Sequence, residues 1–304
     1  MGSTTSRVAI LLATYNGALY IEEQVNSILW QTHGAWHIFV RDDGSTDGTV
    51  ELLQRRVPAE RLTIIPRSVG EGGGPAKNFF SILSQVPLAQ FSHVAFCDQD
   101  DIWAPRKLER ALECLASDGA DGYSCNLVPF DVNRQAAWYL RKSQSEKEFD
   151  YLFQGASAGC TYVLTGRAAA LIQSKVPDIM AAPVAGFSHD WAIYALCRSY
   201  GHKWVQDTHA YIFYRQHSSN SFGAMPSYGG LFARLKLARS GWYRRNVLWL
   251  GGLLSGSEEE RRILAKVQRF SLADRVSLAL DAKRFRRTPR DALFFGLVVV
   301  AGAM

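Results

Sequence analysis

Residues 94–108 of the chain read VAFCDQDDIWAPRKL. An apolar run is followed by three carboxylates within four positions, Asp98, Asp100 and Asp101, and shortly afterwards by a tryptophan. The run predicts a buried strand, and the carboxylates predict a loop at the carboxyl end of that strand. Carboxylates this close together repel one another unless hydrogen bonds or a cation offset their charge. The stretch therefore indicates a site that receives a positive charge.

Short apolar runs alternate with amphipathic stretches from Val8 to Asn126, and the acidic stretch follows the fourth run. This alternation predicts an α/β fold, with a mostly parallel sheet and helices on both faces. Sheets of this kind bind ligands at the carboxyl ends of their strands, where the strand order reverses. Three polar segments fall at such ends: TYNG after the first strand, RDDGSTDG after the second and CDQDD after the fourth. We expect them to meet in one crevice.

The basic charge of the chain is concentrated in its last quarter. The formal net charge is +6, but residues 231–304 carry fifteen Lys and Arg against six Asp and Glu (+9), which leaves 19 against 22 (−3) for the rest. From about Pro226 the pattern predicts basic amphipathic helices, broken at GLLSGSEEE and at Thr288-Pro289. Such a tail indicates contact with an anionic surface, either phospholipid or nucleic acid. The alternative is a set of ordinary basic helices that cap the core or form a dimer contact.

Two features of the tail favour a lipid surface. Trp242, Tyr243 and Trp249 accompany Arg244 and Arg245, and the chain ends on DALFFGLVVVAGAM. The uncharged part of that ending is about a dozen residues, well short of the roughly 20 that a spanning helix requires. We expect the tail to pack partly on the core and to contact a membrane without crossing it.

Several classes of site are disfavoured by the sequence. The five cysteines are odd in number and widely spaced, with no zinc-binding arrangement, so we interpret them as reduced thiols of a cytosolic protein. The start of the chain lacks the pattern of a secretory signal. The turn after the first strand lacks G-x-G-x-x-G, and GEGGGPAKN at 70–78 matches neither that pattern nor a P-loop. The glycine cluster is either a mobile surface loop or a loop that approaches phosphate, with Lys77 adding charge.

The segment RDDGSTDGT at 41–49 offers candidates for nucleoside recognition. Asp43 or Asp42 can accept the ring N–H of a pyrimidine, while Ser45, Thr46 or Asp47 can cap the following helix. Capping explains Asp47, but it does not explain two adjacent aspartates at a strand end.

The D-x-D spacing of Asp98 and Asp100 suits a divalent cation, since Mg²⁺ and Mn²⁺ take oxygen ligands and share substrate phosphates. In FSHDWAIYAL, Asp190 is either a first-turn aspartate favoured by the helix dipole or a general base. In YRQHSSNSFG, His217 follows Arg215 in a polar cluster, and it is either structural or a further metal ligand.

Together and in this order, several strings resemble the inverting, nucleotide-sugar-dependent glycosyltransferases of family 2: ATYNG, EEQVNSILWQT, VRDDGSTDGT, CDQDDIW with a following RKL, SAGCT, HDW and YRQHSSN. The resemblance runs from Val8 to about Gly223, and it is greatest to a bacterial branch that includes rhamnosyltransferases of O-antigen and other surface polysaccharides. It implies a GT-A fold. It also implies a nucleotide-sugar-binding half at 1–125, an acceptor and catalytic half at 126–225, and a basic helical extension at 226–304.

The resemblance assigns donor-binding roles to seven residues: Tyr15, Asn16, Asp43, Lys77, Asp98, Gly159 and Arg215. Tyr15 would stack on the base and Asp43 would hydrogen-bond it, while Lys77 would lie near the base or the diphosphate. Ala13 departs from the proline or threonine that is frequent at its position, which removes a possible contact with the base.

The resemblance places the chemistry on the later motifs. Asp98 would touch the ribose or sugar of the donor, and Asp100 would bind Mn²⁺ or Mg²⁺. Gly159 would lie in a backbone loop at the sugar. Asp190 would be the catalytic base, and His217 would help to hold the metal or the diphosphate. Asp101 is left to support the loop or to cap the helix that Pro105 begins.

These assignments predict transfer of one sugar from a dTDP- or UDP-sugar, with dTDP-rhamnose favoured, to a glycan or lipid-linked saccharide. The absence of Q-x-x-R-W favours single transfer over polymerisation. The expected location is the cytoplasmic face of the cell membrane, with an anionic membrane surface as partner, a homodimer as a further possibility and no nucleic acid. The alternatives are an aspartyl-phosphate phosphatase with Asp98 as nucleophile and an inactive membrane-associated scaffold.

Overall fold

The structure is a computed structural model that describes residues 6–67, 74–181, 186–217 and 240–304. Its strands are β1 (Val8–Thr14), β2 (Trp36–Asp42), β3 (Leu62–Ile64), β4 (His93–Cys97), β5 (Ile102–Trp103), β6 (Gly122–Asp131), β7 (Ala136–Ala137), β8 (Val163–Thr165) and β9 (Trp204–Arg215). Its helices are α1 (Ile21–Leu29), α2 (Thr49–Arg56), α3 (Gly74–Gln85), α4 (Lys107–Asp118), α5 (Gly166–Met180), α6 (His189–Ser199), α7 (Trp242–Gly251), α8 (Glu258–Arg269), α9 (Leu272–Leu280), α10 (Ala282–Phe285) and α11 (Pro289–Val300).

The strands form one sheet in the order β3-β2-β1-β4-β8-β6-β9-β5, with β7 paired to β6. The first four strands in this order are parallel, and β6 is parallel to β9. The short strand β8 runs antiparallel to both of its neighbours, and β5 runs antiparallel to β9. The predicted α/β fold is confirmed, and the second half of the sheet adds antiparallel pairs to it.

Strand β1 is buried on both faces because its side chains alternate between two cores. Val8, Ile10 and Leu12 pack with apolar residues of α1, α2 and α4. Ala9 and Leu11 pack on the other side with residues of α3, α5 and α6. Each fully buried Leu or Ile contributes roughly 1.5–3 kcal/mol of hydrophobic stabilisation. This two-sided burial fixes the strand ends from which the polar segments project.

The helices from α7 to α11 pack on the same core as α3, α5 and α6. The Phe153 and Phe285 rings lie 4.7 Å apart, and the Phe187 and Trp249 rings lie 4.8 Å apart. Tyr243 stacks on Trp191 at 5.3 Å. Tyr243 and Trp249, two of the three aromatic residues assigned to a lipid surface, are therefore partly buried against this core.

The predicted breaks between the C-terminal helices are present. Helix α7 ends at Gly251, and α8 begins after Ser257, whose side chain forms a capping box with Glu260. Helix α11 begins at Pro289, with the Thr288 side chain accepting the Asp291 N–H. Residues 226–239 lie outside the described part of the chain, so the boundary at 225 stays a prediction.

A buried carboxylate connects the C-terminal helices to the body of the protein. Asp150 is fully buried and accepts hydrogen bonds from Tyr194, Arg198 and Arg287. Arg287 also donates to the Ala156 carbonyl at 3.0 Å. Removing one member of a buried ion pair typically costs about 3–5 kcal/mol, so Arg287 makes the C-terminal helices part of the folded core.

All five cysteines are free and buried, in agreement with the prediction of reduced thiols. Among the described residues, no helix has both the length and the apolar character that crossing a bilayer requires.

Candidate active site

The carboxyl ends of β1, β2 and β4 lie side by side, and their loops are joined by side-chain hydrogen bonds. Thr14 of β1 is in register with Asp42 of β2, and Leu12 is in register with Cys97 of β4. The Gln99 side chain accepts from the Tyr15 N–H at 2.8 Å and donates to the Tyr15 carbonyl at 3.0 Å. The three predicted polar segments therefore form one crevice.

Close approach of Gln99 explains the glycine in TYNG. A Cβ atom on Gly17 would lie 2.4 Å from Gln99 Oε1, so a larger residue would displace the side chain that joins the β1 and β4 loops.

The two adjacent aspartates at the end of β2 have different roles. Asp42 accepts from the Thr14 hydroxyl at 2.8 Å and from the backbone N–H groups of Gly44 and Ser45 at 2.9 and 2.6 Å. Asp43 has a buried oxygen, Oδ1, that accepts no hydrogen bond within the described residues and lies 3.5 Å from Arg67 Nε. Asp42 therefore builds the loop, whereas Asp43 forms an ion pair with Arg67 and its predicted contact with the base stays a prediction.

Asn16 and Tyr15 occupy the outer part of the crevice. Asn16 has a left-handed backbone with φ of 46°, accepts the Thr46 N–H through its side-chain oxygen at 3.0 Å and donates its own N–H to Ser45. Its side-chain oxygen is thus already bonded within the protein. The Tyr15 side chain is 57% exposed, so its ring is available for stacking.

The end of β9 holds in place the loop that carries Asp98, Asp100 and Asp101, which is called the acidic loop. Asp100 Oδ2 lies 2.7 Å from His217 Nε2, and Arg215 donates to the Asp100 carbonyl through Nε at 2.9 Å. The Arg215 N–H donates to Asp101 Oδ1 at 3.2 Å. Arg215 and His217 are therefore brought to the acidic loop, as expected. The structure gives Arg215 a positioning role, and its predicted contact with the donor stays a prediction.

Helix α1 supports these two side chains. The Tyr20 ring stacks on the His217 ring at 5.1 Å, and the Arg215 guanidinium lies 4.7 Å from the centre of the Tyr20 ring. Arg215 also forms an ion pair with Glu23. The residues of the acidic loop are thereby fixed from two directions.

Asp101 supports the loop and does not cap a helix. It is fully buried, and burial together with the charges of Asp100 and Asp98 raises its pKa well above the usual range. The N-cap position of α4 is Arg106, without a side-chain capping bond. Of the two roles predicted for Asp101, the supporting one is confirmed and the capping one is wrong, because its carboxyl is directed to Arg215.

Asp98 lies beside Asp101 and the Cys160 thiol, with one ligand atom of each within 4.8 Å of the others. Burial, followed by the charges of Asp100 and Asp190, raises the pKa of Asp98 to about 7, while hydrogen bonding from Cys160 acts in the opposite direction. Burial also raises the Cys160 pKa well above its ordinary value. A neutral thiol and a neutral carboxyl are poor metal ligands, so these three residues form a hydrogen-bonded cluster.

Asp190 lies in the first turn of α6 and faces this cluster, since its charge contributes to the raised pKa of Asp98. Its Oδ1 accepts the Trp191 N–H at 2.6 Å and a hydrogen bond from the Ser188 hydroxyl. Asp98 and Asp100 come from the loop after β4 and Asp190 from the start of α6, and the charges of Asp100 and Asp190 both contribute to the raised pKa of Asp98.

The turn at Gly159–Thr161 packs tightly against the start of α6. A Cβ on Gly159 would lie 2.1 Å from His189 Nε2, and the His189 ring is 4.5 Å from the Phe79 ring. Burial lowers the His189 pKa, which favours the neutral imidazole. Gly159 therefore allows the turn that carries Cys160 to reach the acidic residues, and its predicted contact with the sugar stays a prediction.

Lys77 is half-buried in α3, and the next residue, Asn78, exchanges hydrogen bonds with Arg41 near the end of β2 at 2.8 and 2.9 Å. The start of α3 thus lies beside β2, but a contact between Lys77 and the donor stays a prediction. Residues 70–73 of the glycine cluster and the SSN that follows His217 lie outside the described residues.

The donor atoms near Asp100 fit a divalent cation. A carboxylate oxygen and an imidazole nitrogen are held 2.7 Å apart, and both are ligand types that Mn²⁺ accepts. Carboxylates also crowd around this position, because the charges of Asp100 and Asp190, after burial, contribute to the raised pKa of Asp98.

Five residues that shape the site were not singled out from the sequence: Tyr20, Glu23, Gln99, Cys160 and His189. Gln99, Cys160 and His189 stand inside the quoted motifs next to a predicted residue, and Glu23 stands in EEQVNSILWQT, so proximity to a motif was an available signal. Tyr20 and Glu23 are three positions apart at the start of α1, a spacing that places both on one side of a helix.

Comparison with known proteins agrees with this geometry. The sequence profile described as Glycosyl transferase family 2 matches residues 9–175, which is more than half of the chain. The chain belongs to glycosyl transferase family 2. The family 2 prediction and the glycosyltransferase activity are thereby confirmed over the phosphatase alternative.

A relative of this family 2 enzyme is dTDP-rhamnosyl transferase RfbG of Shigella flexneri, which is 32% identical over 292 residues, or 95% of this chain and 99% of RfbG. Among solved structures, S. aureus TarS in complex with UDP-GlcNAc superposes with a TM-score of 0.60 at 16% identity, over 97% of this chain and 81% of that one. The mannosyltransferase PcManGT from Pyrobaculum calidifontis, in complex with GDP-Man and Mn²⁺, gives a TM-score of 0.52 at 16% identity, over 99% and 75%. At these identities the two structures establish the fold alone.

Proposed function

We propose that this family 2 glycosyltransferase moves a single sugar from a nucleotide diphosphate sugar to an acceptor hydroxyl, with inversion at the anomeric carbon. The observation that carries the proposal is the meeting of Asp98, Asp100, Asp190 and His217 at the carboxyl ends of the strands. The preferred donor is dTDP-rhamnose, because the similarity to RfbG extends over 95% of the chain. UDP-sugars are the next candidates, as TarS was solved with UDP-GlcNAc.

The proposed base is Asp190. Glycosyl transfer passes through an oxocarbenium-like transition state, so an acceptor hydroxyl needs to lose its proton as it attacks. The carboxylate of Asp190 is held at the start of α6 by the Ser188 hydroxyl and the Trp191 N–H. Two hydrogen bonds to one oxygen fix the group in place and leave the carboxylate able to accept a proton.

Asp98 is proposed to hold a hydroxyl of the donor. Its raised pKa, about 7, means that the carboxyl accepts or donates a hydrogen bond near neutral pH. Tyr15 and Asp43 are proposed to hold the base, by stacking and by hydrogen bonding to the ring N–H. The exposed ring of Tyr15 and the unbonded oxygen of Asp43 support these roles.

Asp100 and His217 are the residues proposed to hold Mn²⁺ or Mg²⁺. When bound, such an ion would offset the negative charge that develops on the leaving nucleoside diphosphate. The complex of PcManGT with GDP-Man and Mn²⁺ supports a metal in this fold, and the crowding of carboxylates supports it in this chain.

The proposed acceptor is a glycan or lipid-linked saccharide of surface polysaccharide synthesis, met at the cytoplasmic face of the cell membrane. The charge of +9 on residues 231–304 supports an anionic membrane surface as partner.

A screen of nucleotide sugars tests the proposal through donor hydrolysis and thermal shift, with and without Mn²⁺. We expect dTDP-rhamnose to raise the melting temperature and to be hydrolysed slowly when Mn²⁺ is present. Asp100→Ala should weaken the metal-dependent part of binding by about 10–100-fold, whereas Glu113→Ala, on the exposed side of α4, should leave it unchanged.

Two results would contradict the proposal. If donor binding does not change on adding Mn²⁺ or Mg²⁺, or in the Asp100→Ala variant, the proposed role of the metal is wrong. Release of phosphate from a phosphomonoester that is lost in Asp98→Asn would instead support phosphatase chemistry.

A further inference from the structure

Helices α9 and α11 expose an apolar surface that the active site does not use. The structure describes fourteen exposed large hydrophobic side chains, and seven of them lie on these two helices. They are Leu272 (61% exposed), Val276 (43%), Leu280 (80%), Leu293 (67%), Phe294 (41%), Leu297 (64%) and Val300 (41%), and together they are called the α9–α11 face.

The α9–α11 face is continuous. Leu272, Val276 and Leu280 are spaced by four residues, and such a spacing forms one stripe along a helix. The two helices meet at Gly296, where an added Cβ would be 3.6 Å from Ala279 Cβ. An open groove of about 410 Å³ runs between them and is lined by apolar residues of both helices, from Ala279 on α9 to Leu293, Leu297 and Val300 on α11.

The opposite sides of the same helices already supply the folding core. Leu278, Phe295 and Val299 are at most 3% exposed, and all three belong to the core shared with α3, α5 and α6. The outward leucines therefore add little to the stability of the fold. Exposed apolar patches of this kind usually mark an interaction surface.

The charges around the α9–α11 face select the kind of partner. Residues 272–300 contain six Lys and Arg but only three Asp and Glu. Each of these carboxylates has a partner within the chain: Asp274 bonds to Arg269, Asp281 lies 3.6 Å from Lys266 and Asp291 bonds to Thr288. Exposed Lys283 and Arg290 flank the apolar stripes, three residues from Leu280 and from Leu293 respectively.

A second copy of the chain is a poor occupant. A two-fold interface through this face brings the flanking cations of both copies into one contact, where the carboxylates of 272–300 already have partners within their own chain, and like charges across an interface oppose association. An anionic phospholipid surface accepts the leucines and attracts the cations at the same time.

We propose that the α9–α11 face is the surface through which this glycosyltransferase rests on an anionic phospholipid bilayer. The leucines enter the boundary between headgroups and acyl chains, and Lys283 and Arg290 contact the lipid phosphates. These residues take the lipid-contacting role first assigned to Tyr243 and Trp249, whose rings pack against Trp191 and Phe187 of the protein. It gives a surface to the membrane attachment included in the proposed function, and it involves no residue of the active site.

Flotation of the full chain with vesicles tests the proposal, using phosphatidylglycerol mixed with phosphatidylcholine against phosphatidylcholine alone. We expect binding to the anionic vesicles that weakens as salt is raised. The double variant Leu280→Gln/Leu293→Gln should bind about 100-fold more weakly, since each leucine withdrawn from water contributes at least about tenfold. The double variant Lys283→Gln/Arg290→Gln should bind anionic vesicles about tenfold more weakly and should lose most of the salt dependence of binding.

The matched control is Trp30→Gln/Val132→Gln, which removes two side chains of similar exposure, 74% and 64%, away from the face. We expect this variant to bind vesicles as the unchanged protein does. Donor hydrolysis in solution should be the same in all these proteins, so a failure of the proposed chemistry is distinguishable from a failure of membrane binding.

Three results would overturn the proposal: no binding of the unchanged protein to anionic vesicles, equal binding of the leucine variant, or equal binding to neutral vesicles. Light scattering supplies a fourth. If the unchanged protein has the molar mass of a dimer and binds no vesicles, and the leucine variant has the molar mass of a monomer, the face contacts a second copy of the chain instead.

Discussion

The two ends of the active site are built differently. At the proposed base end, around Tyr15 and Asp43, the loops are held by hydrogen bonds to the Asp42 carboxylate and to the Asn16 side chain, so both side chains have partners within the protein. At the acidic end, Asp98 and its neighbours crowd together, and burial and repulsion raise its pKa to about 7. The base end is therefore already held by hydrogen bonds, whereas at the acidic end the repulsion between carboxylates is expected to fall when a cation binds.

The largest effect should come from Asp190→Asn at the acidic end. An amide cannot take the proton of the acceptor hydroxyl, so we expect kcat to fall by about 10²–10⁴-fold, with donor affinity changed by less than about twofold as the site geometry is kept. Transfer assays and calorimetry with the donor measure the two quantities. Asp118→Asn, at the exposed end of α4, is the matched control. An equal loss of donor affinity and kcat would show that Asp190 binds the donor instead.

At the base end, Tyr15→Ala should act on affinity rather than on rate. Loss of one aromatic ring from a stacked base costs about 1–3 kcal/mol, so we expect the Kd for the free nucleoside diphosphate to rise about tenfold while kcat at saturating donor is retained. Tyr15→Phe should keep most of the affinity. Leu19→Ala changes a neighbouring side chain that is 76% exposed, and an effect as large as that of Tyr15→Ala would remove the stacking role.

The smallest expected effect is on the free energy of unfolding. Its dependence on pH should differ between the acidic end and the base end. A carboxyl with a higher pKa in the folded state than in the unfolded chain lowers stability once the pH exceeds its unfolded value. For Asp98 this cost grows from about pH 4 to about pH 7 and is constant above. Without divalent ions, Asp98→Asn should therefore raise the free energy of unfolding by about 1–2 kcal/mol at pH 8, after allowance for solvent screening at a partly exposed side chain.

Urea unfolding at pH 4 and at pH 8 measures that difference, which should vanish at the lower pH. The same experiment on Asp42→Asn is the comparison from the base end, where the carboxylate is hydrogen-bonded and its loss should reduce stability. A stabilising Asp42→Asn, or an Asp98→Asn without effect at pH 8, would contradict the contrast between the ends.

Local patterns in the sequence were sufficient for the first half of the fold and for the position of the site. The segment TVELLQRR, for example, forms α2 with the bounds Thr49–Arg56 that its pattern indicates. The carboxyl ends of β1, β2 and β4 meet because parallel strands bring them to one edge. The position of Asp98 and Asp100 beside the β1 and β2 loops follows from that edge, whereas the contact of His217 with Asp100 depends on the pairing of distant strands.

The remaining features depend on contacts between distant segments. Strand β8 has only three residues, too few for a periodic pattern to reveal its antiparallel direction. The division of labour between Asp42 and Asp43 rests on hydrogen bonds from Thr14, Gly44 and Ser45. Tyr243 and Trp249 were assigned to lipid because a helix that is apolar on more than one side does not show which side meets the core.

The ion pair between Asp150 and Arg287 has a consequence for how the protein is made. The two residues are 137 positions apart, so Asp150 emerges from the ribosome long before its partner is synthesised. Until then the carboxylate has no guanidinium from Arg287, and burying it would leave a charge only partly compensated. Folding around Asp150 should therefore be completed only once Arg287 has left the ribosome, and chains that stop before residue 287 should be less stable than chains that include it.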